Sequence, residues 1–386
     1  MNEKEIYGGI HMLPEQEEKI VEFLELIYDL IFVYLIGRNN SLLHHIEGGF
    51  VTWDAFLAYL LCSLAIIQIW NFSTFYINLY GRNGVRDHIF IFINMYLLYH
   101  MADGIKSGWQ DSFYQFCVAW FLILVNIAMQ HIIEMRNHQG EPWILERLKW
   151  KAIIVFAEAA LILVHMFVFY KTGRSVAYIP VLFGMLAMVL SSRANMLAPV
   201  DFGHLSERAM LYVVFTFGEM IIAITEYFEG GFAGTTLYFS GMAFLIVVGL
   251  FLSYEVYYNR IVNREALTNG IGYMLIHVFL IFALNNISVA LEFMRMEEVA
   301  LLPKTLFISC SFILYFLFLF LACIYAKKRC AFNRRFYEYI GIFGGTFLVL
   351  MLLLMARSML NIAVSVLYVF VIFVILYRRG KLAAVG

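Results

Sequence analysis

Glu22, Glu25 and Asp29 stand together in one apolar stretch, residues 20–37. At about 100° per residue they fall within roughly 60° of one another on a helix. A second stretch, 206–227, is entered by His204, Glu207 and Arg208 and carries Glu219 and Glu226. By the same arithmetic His204, Arg208, Glu219 and Glu226 share a face, and Glu207 points elsewhere. A third stretch, 150–170, holds Glu158 and His165 seven residues apart, again on one face. A carboxyl or imidazole in a low-dielectric interior can take up and release a proton, or hold a cation, and such residues mark ion pathways. The same residues could instead lock helices together. Arg208 against a first-stretch carboxylate would be such a pair, and Glu158 with His165 would be either a relay step or a buried hydrogen-bonded pair. Both readings are open from the sequence.

Helices long enough to cross a membrane must position these groups. Of the 386 residues, 62% are apolar and 14% charged. Soluble domains average about 25% charged. Twelve apolar stretches occur, at about 20–37, 53–79, 87–105, 112–133, 150–170, 175–194, 206–227, 236–258, 270–292, 304–326, 337–356 and 359–377. Each can span roughly 30 Å of hydrocarbon, and the lack of strict alternation excludes a β-barrel. The fold expected is therefore all-α and polytopic, with about twelve transmembrane helices.

Basic residues set the orientation. With the N-terminus cytoplasmic, 20 of the 27 lysines and arginines fall inside, as the positive-inside rule requires. Both termini are then cytoplasmic. Segment 1–19 is acidic and lacks a cleavable signal, so the first span is expected to be retained.

The halves echo each other. Glu47-Gly48-Gly49-Phe50 precedes the second stretch and Glu229-Gly230-Gly231-Phe232 the eighth. Asp29 aligns with Glu219 at a similar offset, which places both acids at matched depth. Six spans per half give two parallel pseudo-repeats, over 20–194 and 195–379, with a cytoplasmic tail at 380–386.

Other chemistry is missing. No H-E-x-x-H, P-loop or G-x-S-x-G occurs, so no enzyme activity, cofactor or metal is expected. The five cysteines show no pairing pattern and read as packing residues. A net charge of −1 gives no reason to expect nucleic acid. Gly341 and Gly345 form a G-x-x-x-G suited to close helix contact within one chain or in a homo-oligomer. Pro180 is expected to kink the sixth span. Partners are then membrane lipids and an unknown small ion or solute.

Two motifs suggest a family. Glu25-Leu26-Ile27-Tyr28-Asp29-Leu30-Ile31-Phe32-Val33 resembles the E-L-F-F-D-L-V-F-V signature of the bacterial low temperature requirement A family. His204-Leu205-Ser206-Glu207-Arg208, followed by Gly218-Glu219-Met220-Ile221-Ile222-Ala223-Ile224, is similar to its second signature, H-L-x-E-R … G-E-x-I-x-A-I. The resemblance implies an integral membrane protein tied by name to growth in the cold, and supplies no substrate. The function expected is a proton-coupled transporter or proton/cation pathway. Asp29 and Glu219 are its central sites, tuned by Glu25, His204 and Arg208. The alternatives are an ion channel of the same plan, or a non-transporting, lipid-interacting scaffold for growth at low temperature.

Overall fold

The computed structural model of the chain describes residues 19–105, 109–190, 200–229 and 231–382. Most of the expected N-terminal segment (1–18), the junction of the two expected repeats (191–199) and the end of the tail (383–386) lie outside the described residues. Among the described residues twelve α-helices follow one another: α1 (Phe23–Asn40), α2 (Trp53–Tyr80), α3 (Val85–Asp103), α4 (Trp109–Glu134), α5 (Pro142–Thr172), α6 (Tyr178–Leu190), α7 (Phe202–Ala223), α8 (Gly234–Val256), α9 (Ile271–Arg295), α10 (Leu301–Ala322), α11 (Arg334–Leu353) and α12 (Ser358–Lys381).

Nine of these helices, some extended by an adjoining turn, are long and apolar enough to cross a membrane. The other three are α1, α3 and α6. Polar content sets α1 apart, because its 18 residues include Glu25, Asp29 and Arg38. α6 has 13 residues, about 20 Å of helix, and runs up to the residues left out of the description. The chain is a multi-pass helical membrane protein.

Local chemistry sets the helix ends. Thr52, Asp201 and Asn333 cap α2, α7 and α11 by accepting the backbone N–H of Ala55, His204 and Phe336. Pro142 opens α5, where its missing N–H is harmless, and Gly173 closes it at φ 67°. Pro180 lies in the first turn of α6. It therefore starts that helix rather than kinking it, because a first-turn proline has no carbonyl four residues back to displace. Residues 134–149 hold the end of α4, a 3-10 turn and the first turns of α5.

The same neighbours recur in the two halves. α1 packs on α2 and α3, α3 on α4, α4 on α5, α5 on α6, and α6 on α2. α7 packs on α8 and α9, α9 on α10, α10 on α11, α11 on α12, and α12 on α8. α1 and α7 meet each other across the halves. Each is followed by a 3-10 turn, Ser41–His44 or Ile224–Phe228, and then by a Glu-Gly-Gly-Phe sequence. α9 is buried almost all round and α2 along its second half, so the core lies where these two meet α1 and α7.

Gly341 and Gly345 on α11 are exposed, with no atom of the described residues near where a side chain would begin. Among the described residues they make no close helix contact. All five cysteines are free; Cys310 is exposed and the others are buried.

The first Glu-Gly-Gly-Phe forms a hairpin between β1 (Ile46–Glu47) and β2 (Phe50–Val51). Gly48 and Gly49 both have positive φ, 63° and 89°. Gly49 also accepts a hydrogen bond from Ala300 N at 2.7 Å, and a Cβ there would lie 3.1 Å from that of Ala300. Gly49→Ala is therefore expected to destabilise the protein by roughly 1–3 kcal/mol. Thermal unfolding in detergent checks this, and an unchanged midpoint would refute it.

Candidate functional site

The charged residues of α1 and α7 meet in the seam between the halves. Arg208 Nη2 donates to Asp29 Oδ1 at 2.5 Å, and Arg208 Nε lies 3.3 Å from Glu25 Oε2. His204 Nε2 stands 3.2 Å from the same Glu25 oxygen. None of the four side chains is more than 4% exposed.

α2 supplies the rest of the cage. Trp70 Nε1 donates to Asp29 Oδ1 at 2.8 Å, and its ring lies 5.9 Å from the guanidinium carbon of Arg208. Asn78 Nδ2 sits 3.0 Å from His204 Nδ1 and also donates to the Asp201 carbonyl. Tyr28, one residue before Asp29, shares a hydrogen bond with Ser73. Every partner here is a neutral residue on α2, where polar side chains interrupt an apolar run. That interruption is the signal by which Trp70 and Asn78 could have been sought in the sequence; charge alone misses them.

Glu25 also lines a cavity of about 340 Å³ with Lys19, Glu22, Arg82, Asn83 and Asp87. The cavity lies at the end of the molecule where α1 begins. Lys19 caps α2 there through the carbonyls of Ile77 and Gly81. Nearby Glu134 is fully buried and receives Arg86, Arg82 and His138. Glu22 precedes the first turn of α1, half-buried at the cavity wall. Glu207 is half-buried and makes no ion pair among the described residues.

Glu219 lies apart from this cluster. Its Oε1 is 2.5 Å from where a Cβ on Gly37 would stand, so Gly37 is what lets the carboxylate settle against α1. Asp29 faces Arg208 while Gly37 faces Glu219, so α1 and α7 run in the same direction. The two acids are not at matched depth: eight residues along α1 separate their levels, about 12 Å. The alignment of Asp29 with Glu219 ignored the stagger of the two helices, which only their contacts reveal. Between the levels stand Phe32, Leu35 and Ile36 of α1 and Tyr212, Val213 and Phe217 of α7, all buried. Glu226 is exposed on the 3-10 turn, 3.4 Å from Arg295.

Glu158 and His165 lie on the buried face of α5 but do not bond each other. Glu158 Oε2 accepts from Gln68 Nε2 at 3.3 Å, and His165 Nδ1 accepts from the backbone N–H of Val176 at 3.2 Å. No group of three or more His, Cys, Asp or Glu suited to a metal ion occurs among the described residues.

Residues 20–375 match the family model described as Bacterial low temperature requirement A protein (LtrA). The chain belongs to the LtrA family. The match takes in the whole α1–α7 seam and both motif-bearing helices of this LtrA chain. Neither a curated protein nor a solved structure matches.

Two expectations follow from the geometry. Arg208→Met leaves two acids buried without their cation, so it should cost roughly 3–5 kcal/mol. Adding Asp29→Asn should return part of that loss. Unfolding of the two singles and the double in detergent measures the coupling, and simple additivity would contradict the pairing.

The second concerns the opposite end, where His44 Nε2 lies 2.7 Å from Glu292 Oε2. That bond holds His44 above its ordinary value of 6.5, and burial opposes it. A raised folded value means the pair stabilises fully below 6.5. The contribution fades as pH rises through the raised value. The midpoint of the wild type should fall over that interval more than that of His44→Gln; identical pH profiles would refute the pair.

Proposed function

We propose that this protein is a proton-coupled transporter or proton pathway of the bacterial cytoplasmic membrane, with no enzymatic role. The Glu25–Asp29–His204–Arg208 cluster is its working site. One observation carries the reading: two carboxylates share one guanidinium in a buried seam. The cluster is one positive charge short of neutrality. A proton on His204 or on a carboxyl closes the count, as would a small cation. An uncompensated buried charge costs several kcal/mol, so the site should hold that proton and be able to exchange it.

The geometry supports a route. Glu25 touches the cavity on one side and His204 and Arg208 on the other. A proton from cavity water would reach Glu25, then His204 across 3.2 Å. Arg208 stays charged at any working pH. It holds Asp29 in place and makes proton loss from Glu25 less costly. Past Asp29 the apolar layer of Phe32, Leu35 and Tyr212 closes the way to Glu219, the next acid. A route open at one end and shut in the middle fits a carrier that changes conformation better than an open channel.

In this reading all twelve helices lie in the membrane, in two parallel six-helix repeats with both termini cytoplasmic. The recurring neighbours and the common direction of α1 and α7 support the repeats. The basic residues support the orientation. The cavity then faces the cytoplasm, and the transported solute is a proton with an unidentified partner.

A second reading has its own observation. Arg208 and Trp70 both donate to one oxygen of Asp29, as a fixed clamp would require. The cluster would then only hold the halves together in a scaffold that supports growth in the cold.

Purified protein in liposomes with a pH-sensitive dye inside separates the two. Glu25→Gln, Asp29→Asn and Glu219→Gln should each lower proton flux at least tenfold while the protein stays folded. The exchange pair Asp29→Arg with Arg208→Asp should recover stability without recovering flux. Wild-type flux in all three single variants would refute the pathway. Full recovery of growth in the cold by the exchange pair, with no flux in the wild type, would establish the clamp.

A further inference from the structure

A second acid is buried in the first half, outside the seam. Glu158 has no exposed surface and lies midway along α5. Its one hydrogen bond among the described residues comes from the Gln68 side chain of α2. Glu158 Oε1 and Gln68 Oε1 are both buried without a hydrogen-bond partner. No basic side chain pairs with Glu158 among the described residues, in contrast to Asp29 with its arginine. On the remaining side α6 presents Gly184. Any side chain there would overlap both the Glu158 carboxyl and the Gln68 amide. The glycine lets the α6 backbone close over the pair and leaves room for these two groups.

A bare carboxylate in this position costs several kcal/mol, and one amide hydrogen bond does not offset it. A proton on the carboxyl removes the charge. It also satisfies both orphan oxygens: the acid O–H donates to Gln68 Oε1 while Gln68 Nε2 donates back to the acid. The two side chains then form a closed acid–amide pair. A cavity of about 20 Å³ is lined by Tyr80, His131, Arg147, Lys151 and Val155, room for about one water. Val155 is one helical turn from Glu158. The charged and titratable groups facing this stretch are Arg147, Lys151 and His165 on α5, Tyr76 and Tyr80 on α2 and His131 on α4; the carboxyl's hydrogen bond among the described residues is the one with Gln68, and α6 meets it at Gly184.

We propose that Glu158, paired with Gln68 beneath Gly184, is a proton-binding site of the first helical bundle, separate from the inter-bundle cluster. It does not depend on the transport reading, because its occupancy can be observed without flux.

Infrared spectroscopy of the full chain in liposomes tests it through the C=O stretch of a protonated carboxyl. The wild type should show such a band that shifts in D₂O, and Glu158→Gln should remove it. Gln68→Leu should move the band to higher frequency, since the acid loses its partner. If Glu158→Gln does not fold, that shift carries the test. A band unchanged in Glu158→Gln, or in Gln68→Leu, overturns the proposal. So does a Glu158 band that never responds to D₂O, which would mean a permanently closed structural acid. Loss of the wild-type band on adding sodium or potassium chloride would make this a metal-cation site and overturn it too.

Discussion

A single guanidinium, Arg208, sets the relation between the two halves. It reaches Asp29 and Glu25 on α1 from a position on α7, 179 residues beyond Asp29 in the chain. Because an arginine cannot shed its charge, the seam must keep carboxylates within reach in any folded state. That requirement fixes the register of α1 against α7. It also fixes α2, whose Trp70 and Asn78 bond Asp29 and His204. The buried layer from Phe32 to Phe217 separates this cluster from Glu219. Moving Arg208 by one helical turn would strand both acids at once.

Much of this arrangement was legible in the residues before any coordinate. Long apolar runs announce helices, and the 3.6-residue period puts Glu25 and Asp29 on one face and His204 and Arg208 on another. Helix periodicity is local, so those faces followed from spacing alone. The stagger between two parallel helices is not local. Aligning Asp29 with Glu219 assumed equal depth, whereas contacts pair Asp29 with Arg208 and Gly37 with Glu219. Trp70, Gln68 and Asn78 escaped notice as site residues because neutral donors in an apolar run look like packing. Gly37 and Gly184 escaped because a glycine's use as space for another residue's carboxyl is invisible until that carboxyl arrives. Pro180 was misplaced for a simpler reason: the chain enters α6 later than hydropathy suggests.

Asp29, Glu158 and Glu219 meet three different environments in this chain. Asp29 is held by an arginine and an indole. Glu158 has one amide and no cation. Glu219 is half-buried against a glycine, near the end where His44 meets Glu292. Groups of the same chemical type placed in unlike surroundings are suited to unlike proton-holding tasks. Asp29 is the least able to change state, since losing its charge would strand Arg208. Glu158 is the reverse case, since gaining a charge would strand itself.

This contrast bears on where a movable charge could reside in the seam. Arg208 and Asp29 neutralise each other and share their closest contact. Glu25 and His204 are left as the members whose charge is not already matched. Glu25 is also the member that lines the cavity, and it lies 3.2 Å from His204. A proton shared between an acid and an imidazole can shift with little movement of heavy atoms. In the proposed pathway, onward passage would require the Phe32–Tyr212 layer to part, and that layer sits on the two helices the cluster binds together. Changing the charge on Glu25 or His204 would alter the attraction between α1 and α7 at the point where the layer would have to open. Under that proposal, protonation and the packing of the halves would be coupled through the same few ångströms of structure.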